Sequence, residues 1–233
     1  MTENWNTYVV GECNKFAHAV LTAVLKESPG EMNPVIIWGA SASGKTRMLT
    51  EFATAARAAG KTVCKKTYKE INGEILKDIH NDNSKAYREK YRTYDYVIID
   101  DLQYLNGKAS TQEEFTHFFD KLITADIQVI LALSLPVTSL SVIEEWRRCH
   151  WPWAVVAELE LPDVETKKKA LLAIVAKMNS KMPADVLEYI AVRSKDYRII
   201  EGIMNSLQAR RTILHEEITV EMAEKVLSEK RIK

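Results

Sequence analysis

The chain has 233 residues, 46% of them apolar, which is enough for one α/β domain and a smaller second unit with real cores. Its 32 Lys+Arg balance 32 Asp+Glu, a formal net charge of zero, which excludes a protein that grips nucleic acid by bulk charge alone. No apolar run approaches the ~18 residues of a membrane span, and the start "MTENWNTYVV" lacks the basic and apolar regions of a signal peptide. Cys13, Cys64 and Cys149 form neither a CxxC zinc motif nor a disulfide framework, so buried thiols and a cytoplasmic location are expected.

In chain order, "PVIIW" (34–38) reads as a buried parallel strand behind a proline. A helix follows from Lys45 to about Ala58, with Gly60 as its stop. "KTVCKKTY" (61–68) is a second strand; residues 69–80 and 84–92 read as two helices parted by "NDN". "YDYVIID" (94–100) is a third strand, 110–124 a helix, and "IQVILAL" (127–133) a fourth strand. A short helix over 139–149 and a fifth strand, "AVVAELEL" (154–161), complete the pattern. Strands alternating with helices predict an α/β fold, a five-stranded parallel sheet covered on both faces. The pattern changes at Pro162-Asp163. Asp163 is a candidate N-cap for a helix to about Met178, Pro183 begins another, and 197–213 and 219–229 supply two more. The expected organisation is an α/β base over 5–162 and a helical lid over 163–233.

Residues 39–46, "GASASGKT", fit G-x-x-x-x-G-K-[ST] between a buried strand and a helix. Gly39, Ala40, Ser41, Ala42, Ser43 and Gly44 would turn backbone N–H groups around phosphate oxygens, with the helix N-terminus adding positive potential. Lys45 would reach the β- and γ-phosphates, and the Thr46 hydroxyl would ligate Mg²⁺. A P-loop needs a carboxylate anchor for that metal. Asp100, at the end of "VIIDD", is the expected second ligand, and Asp101 is placed to orient or activate an attacking water. ATP with Mg²⁺ is the expected ligand.

With these motifs in place, "YVVGECNKFAHA" (8–19), "NPVIIWGASASGKT" (33–46), "REKYRTYDYVIIDDLQYLNGKASTQEEFTHFF" (88–119) and "LPDVETKK" (161–168) closely resemble the AAA+ core of the bacterial replication initiator DnaA family. The resemblance covers nearly the whole chain. It implies an AAA+ P-loop NTPase fold with a C-terminal helical lid, ATP and ADP as nucleotides, and work in replication initiation. The family's N-terminal domain and helix-turn-helix DNA-reading domain have no counterpart here. By resemblance, Tyr8, Val9, Val10 and Asn14 lie near the adenine, although each of the first three is equally suited to packing on the core. "DYRIIEGIMNSL" is similar to the family's sensor 2 segment and carries Arg198 over as the residue that reaches the γ-phosphate.

Two departures stand out. Where the family ends the strand before the sensor 1 loop in polar residues, this chain has Ala132 and Leu133. Where the family carries an arginine finger, this chain has "WRRCHWPW", with His150 at the finger position and Arg147 and Arg148 just before it. Imidazole is no substitute for a fixed guanidinium. Either a nearby arginine takes the role through a shifted loop or the finger is gone. At most slow, Mg-dependent ATP hydrolysis is therefore expected, without ATP-driven self-assembly.

Residues 65–92 hold eight Lys/Arg and five Asp/Glu, interleaved with Tyr68, Tyr87 and Tyr91. The family inserts helices here that line a single-strand channel. Counting from Asp100 puts Leu76 on an apolar contact to single-stranded DNA and Lys108 on a basic one, and the basic-aromatic mixture suits a groove that tracks a strand. An ordinary solvated helix pair fits the same composition. Two functions are in competition: an ATP-switched initiation factor with single-stranded DNA contact, or a core-only paralogue acting as regulator, adaptor or helicase-loader-like partner of another AAA+ protein. A small-molecule P-loop kinase is disfavoured, because no Arg-rich lid is recognisable.

Overall fold

Buried strands carrying apolar side chains on both faces require cover on both sides, and the chain supplies it with helices. The computed structural model describes residues 5, 8–26, 32–80, 86–105, 109–139, 141–146, 148, 151–178 and 181–231. Five strands, β1 (Val35–Trp38), β2 (Val63–Thr67), β3 (Tyr96–Asp100), β4 (Gln128–Leu133) and β5 (Val155–Glu158), form one parallel sheet in the order β2-β3-β4-β1-β5. The central register pairs Ile36 with Leu131 on one side and Val156 on the other.

Alternation along the strands feeds two cores. Ile36, Val97, Ile99, Val129, Leu131 and Leu133 face one, which is rich in rings from Tyr91, Phe115, Phe118, Phe119, Trp146 and Trp151. Val35, Ile37, Ile98, Ile130 and Ala132 face the other, shared with Leu49, Phe52 and Trp5. Strands buried on both faces are why the sequence shows continuous apolar runs there. The indole N–H of Trp151 donates to Asp120 at 2.8 Å and that of Trp146 to the Thr116 hydroxyl, so both buried indoles have the polar partner they need. Trp153 is instead 54% exposed.

The helices are α1 (Lys15–Lys26), α2 (Lys45–Ala58), α3 (Tyr68–His80), α4 (Ala86–Tyr91), α5 (Ala109–Thr124) and α6 (Ser141–Glu145), followed by α7 (Val164–Lys177), α8 (Ala184–Arg193), α9 (Tyr197–Ala209) and α10 (Val220–Arg231). Their ends follow local chemistry. Gly60, at φ +81°, stops α2 with Lys61 N–H bonded to the Ala56 carbonyl. Between β2 and α3 there is no loop: Thr67 and Glu70 form a reciprocal capping box, Thr67 N–H donating to the Glu70 carboxylate at 2.7 Å and Glu70 N–H to the Thr67 hydroxyl at 3.4 Å. Asp163 caps α7 through Thr166 N–H at 2.6 Å, and Asp196 caps α9 through Arg198 and Ile199 N–H groups at 2.9 and 3.1 Å. Each such cap is worth about 1 kcal/mol. Past α9 the chain continues in one π-helical stretch, Arg210–Leu214, ending at His215 in the left-handed region.

The chain divides into two compact units. The sheet unit comprises Met1–Tyr8, Phe16–Ser41 and Lys45–Leu159; the helical unit comprises Val9–Lys15, Ala42–Gly44 and Glu160–Lys233. The helical unit has its own core, built on Leu171, Val186, Ile190, Ile200, Ile203, Met204, Leu207 and Val226. Among the described residues no helix is long and apolar enough to cross a membrane.

Candidate functional site

In the sheet unit, β1 runs into the glycine-containing loop, and Gly39 N–H is held on the Leu133 carbonyl at 3.3 Å. Lys45 is only 6% exposed, and its ammonium donates to the carbonyls of Gly39 and Ala40 at 2.6 and 2.9 Å. Thr46 opens α2, and its hydroxyl donates to Asp100 Oδ2 at 2.7 Å. Asp100 is 3% exposed at the C-terminal end of β3. The motif residues from two distant stretches thus meet: the loop hydroxyl and the strand-end carboxylate share one proton contact. Among the described residues no cluster of three or more His, Cys, Asp or Glu could hold a metal on its own. Thr46 and Asp100 together offer two hard oxygen donors, the incomplete set expected where phosphates and water complete a Mg²⁺ shell.

A second network runs sideways from Asp100. Asp101 sits at φ +59°, with its N–H on Asp100 Oδ1 at 2.9 Å. Gln103 donates to Asp101 Oδ1 at 2.9 Å and accepts from Ser134 N–H at 3.0 Å. The side-chain amide therefore ties the carboxylate after β3 to the loop after β4. Sequence reasoning passes over Gln103, because a single Gln in a short 3₁₀ turn (Leu102–Leu105) carries no motif. Ala132 and Leu133 are fully buried, one on each core, and Ser134 is the first polar residue beyond them.

Tyr8 lies in a ring stack with His18 (centroids 5.6 Å) and Trp5 (5.8 Å). Burial holds the His18 imidazole below its usual pKa, against a smaller opposing hydrogen bond with the Trp5 backbone, so it sits there as a neutral ring.

The helical unit contains the remaining pieces of both motifs. Ala42 (φ +69°) and Gly44 (φ +103°) take left-handed backbone, and a Cβ on Gly44 would meet the Tyr197 ring at 3.4 Å. Ser43 is 3% exposed, and its buried hydroxyl has no hydrogen-bond partner. That orphaned polar atom in the middle of the loop suits a ligand that brings acceptors, as a phosphate does. Arg198 is exposed on the first turn of α9, directly after Tyr197.

Val9 and Val10 are partly buried and lead into a closed turn. Asn14, 2% exposed, accepts from Gly11 N–H at 3.0 Å and donates to the Val9 carbonyl at 3.1 Å. Its amide is thus committed to shaping this turn. Leu76 is 45% exposed on α3, within the sheet unit. Lys108, Arg147 and His150 lie outside the described residues.

Comparison with known proteins agrees with this geometry. A family model described as "Bacterial DnaA ATPAse domain" matches residues 2–158. The chromosomal replication initiator protein DnaA of Wolinella succinogenes is 31% identical over 226 residues, 97% of this chain but 52% of that protein, so the chain spans about half its length. Domain III of the Thermotoga maritima replication initiation protein DnaA superposes with TM-score 0.86 at 26% identity, over 97% of this chain and 95% of that structure. A replication initiator DnaA bound to AMPPCP and single-stranded DNA gives TM-score 0.78 at 25% identity, over 88% of this chain and 64% of that one.

Proposed function

The chain belongs to the bacterial DnaA ATPase domain family, with an AAA+ fold, and from that premise we propose that it is an ATP-binding switch acting in cytoplasmic DNA replication initiation. The observation that carries this reading is the 2.7 Å contact between Thr46 and Asp100, backed by the inward Lys45 and the orphaned Ser43 hydroxyl. In this reading the backbone of residues 39–44 cradles the phosphates and Lys45 leaves its two loop carbonyls to bind them. Thr46 and Asp100 hold Mg²⁺, which neutralises phosphate charge. Val9 and Val10 flank the base, Arg198 reaches the γ-phosphate, and Asp101, steadied by Gln103, orients water. Hydrolysis is slow, because the end of β4 offers only buried apolar side chains.

Single-stranded DNA is the proposed nucleic-acid ligand, supported by the complex formed by the DnaA relative. Leu76 on the exposed face of α3 and Lys108 would contact it. Fluorescence anisotropy with a labelled single strand, with ATP, with ADP and without nucleotide, tests the switch: ATP-dependent binding is expected, and binding indifferent to nucleotide removes it. A second reading, regulator or adaptor of another AAA+ replication protein without self-assembly, is favoured by the apolar Ala132 and Leu133. It predicts ATP binding with no strand binding at low salt.

A further inference from the structure

The segment Val9–Asn14 precedes the sheet in sequence, yet it belongs to the helical unit. The reason is a set of close contacts. The Asn14 amide closes the turn on the Val9 carbonyl and Gly11 N–H. Asn14 N–H adds a third bond, to the Gly11 carbonyl at 3.2 Å. The closed turn is joined to the chain entering α7, where Glu160 N–H donates to the Cys13 carbonyl at 3.0 Å. Cys13 is 6% exposed, and its thiol is hydrogen-bonded to the Thr166 side chain.

Gly11 is where the two pieces come closest. A Cβ there would stand 1.8 Å from Thr166 Oγ1 and 2.9 Å from both Thr166 Cβ and Cγ2. Thr166 cannot step aside. It is 1% exposed, and its N–H is fixed by the Asp163 cap at 2.6 Å. The absent side chain at position 11 is therefore what lets the turn lie flat against α7.

We infer that Gly11, Asn14 and Thr166 are positioning residues that make the Val9–Val10 segment an integral part of the helical unit, so that this unit carries the base-side wall of the nucleotide site as well as Arg198. The inference rests on the reading that Val9 and Val10 flank the base. It separates two halves of nucleotide recognition. The phosphates depend on Lys45 and Thr46 in the sheet unit, while the base depends on a turn locked to α7.

The test compares ATP with inorganic tripolyphosphate, which has the phosphates and no base, by calorimetry on the whole chain. Gly11→Ala should weaken ATP binding by roughly tenfold or more, the scale of one lost contact set, while tripolyphosphate binding stays within about twofold, less than half a kcal/mol. Thr166→Gly removes every atom the new methyl would strike. Gly11→Ala combined with Thr166→Gly should therefore bind ATP about as Thr166→Gly alone does. Unchanged ATP affinity in Gly11→Ala, equal loss of both ligands, or no recovery in the double variant would each overturn the inference. Wild-type protein that binds neither ligand would instead remove the nucleotide reading itself.

Discussion

Glu74 offers a quantitative test of the surface that carries Leu76. Its carboxylate accepts from Lys66, from Lys90 at 2.9 Å and from the Tyr91 hydroxyl at 2.8 Å, tying α3 to β2 and α4. Burial pushes its pKa up, but the hydrogen bonds of Lys66, Lys90 and Tyr91 together outweigh burial and bring it from 4.5 to about 2. At about 1.4 kcal/mol per tenfold, that drop sets a ceiling of roughly 3 kcal/mol. The side chain is 33% exposed, and solvent screening reduces the contribution to about 1–2 kcal/mol. Glu74→Gln should destabilise the sheet unit by that amount at pH 7. Because the folded pKa is depressed, the contribution is fully present above about 4.5 and is lost as pH falls through about 2. The gap between wild type and variant should therefore narrow progressively below pH 4.5. The assay is urea unfolding followed by tryptophan fluorescence. All five tryptophans (Trp5, Trp38, Trp146, Trp151 and Trp153) lie in the sheet unit, so the signal reports that unit alone. A gap below about 0.5 kcal/mol at pH 7, within the range of an ordinary surface change, or one independent of pH, refutes the reasoning.

Asp100→Asn should abolish the Mg²⁺ dependence of ATP binding while leaving Mg-free affinity nearly unchanged, as calorimetry with and without the metal would show. Leu76→Ala should weaken single-strand binding by about 1 kcal/mol or more, the low end for an apolar or stacking contact, with no change in melting temperature because the side chain is 45% exposed. That binding should also fall steeply with salt in anisotropy titrations. ATP turnover by the isolated chain should lie far below about 1 s⁻¹, the lower end for kinases; a phosphate-release assay reaching that rate contradicts the proposed slow switch.

The strand-helix alternation was legible because central parallel strands are apolar on both faces and short, as β3 and β4 show. The P-loop and Asp100 were legible because their chemistry demands residue types at fixed spacing, and the fold brings Thr46 and Asp100 into contact across 54 positions of sequence. What sequence could not display were contacts made by residues with no spacing rule. Gln103 bridging Asp101 to Ser134 depends on how two loop ends converge. The place of Val9–Lys15 in the helical unit depends on a missing Cβ at Gly11, and glycine in a sequence does not state which neighbour needs the room. Asn14 was singled out by resemblance as lying near the base, whereas the structure shows both ends of its amide engaged by the backbone of its own turn. The fates of Trp151, buried with a carboxylate partner, and Trp153, exposed two residues later, are set by the turn between α6 and β5 rather than by any periodicity.

The central claim is that residues 39–46 hold the phosphates of ATP. The most direct measurement is calorimetric titration of ATP with Mg²⁺ into wild type and Lys45→Ala. Lys45 places a charge-assisted bond on the phosphates, so its removal should weaken binding by roughly ten- to a hundredfold, with the tryptophan-reported unfolding transition preserved. Equal affinity in the two proteins, or no binding by the wild type, would contradict the account.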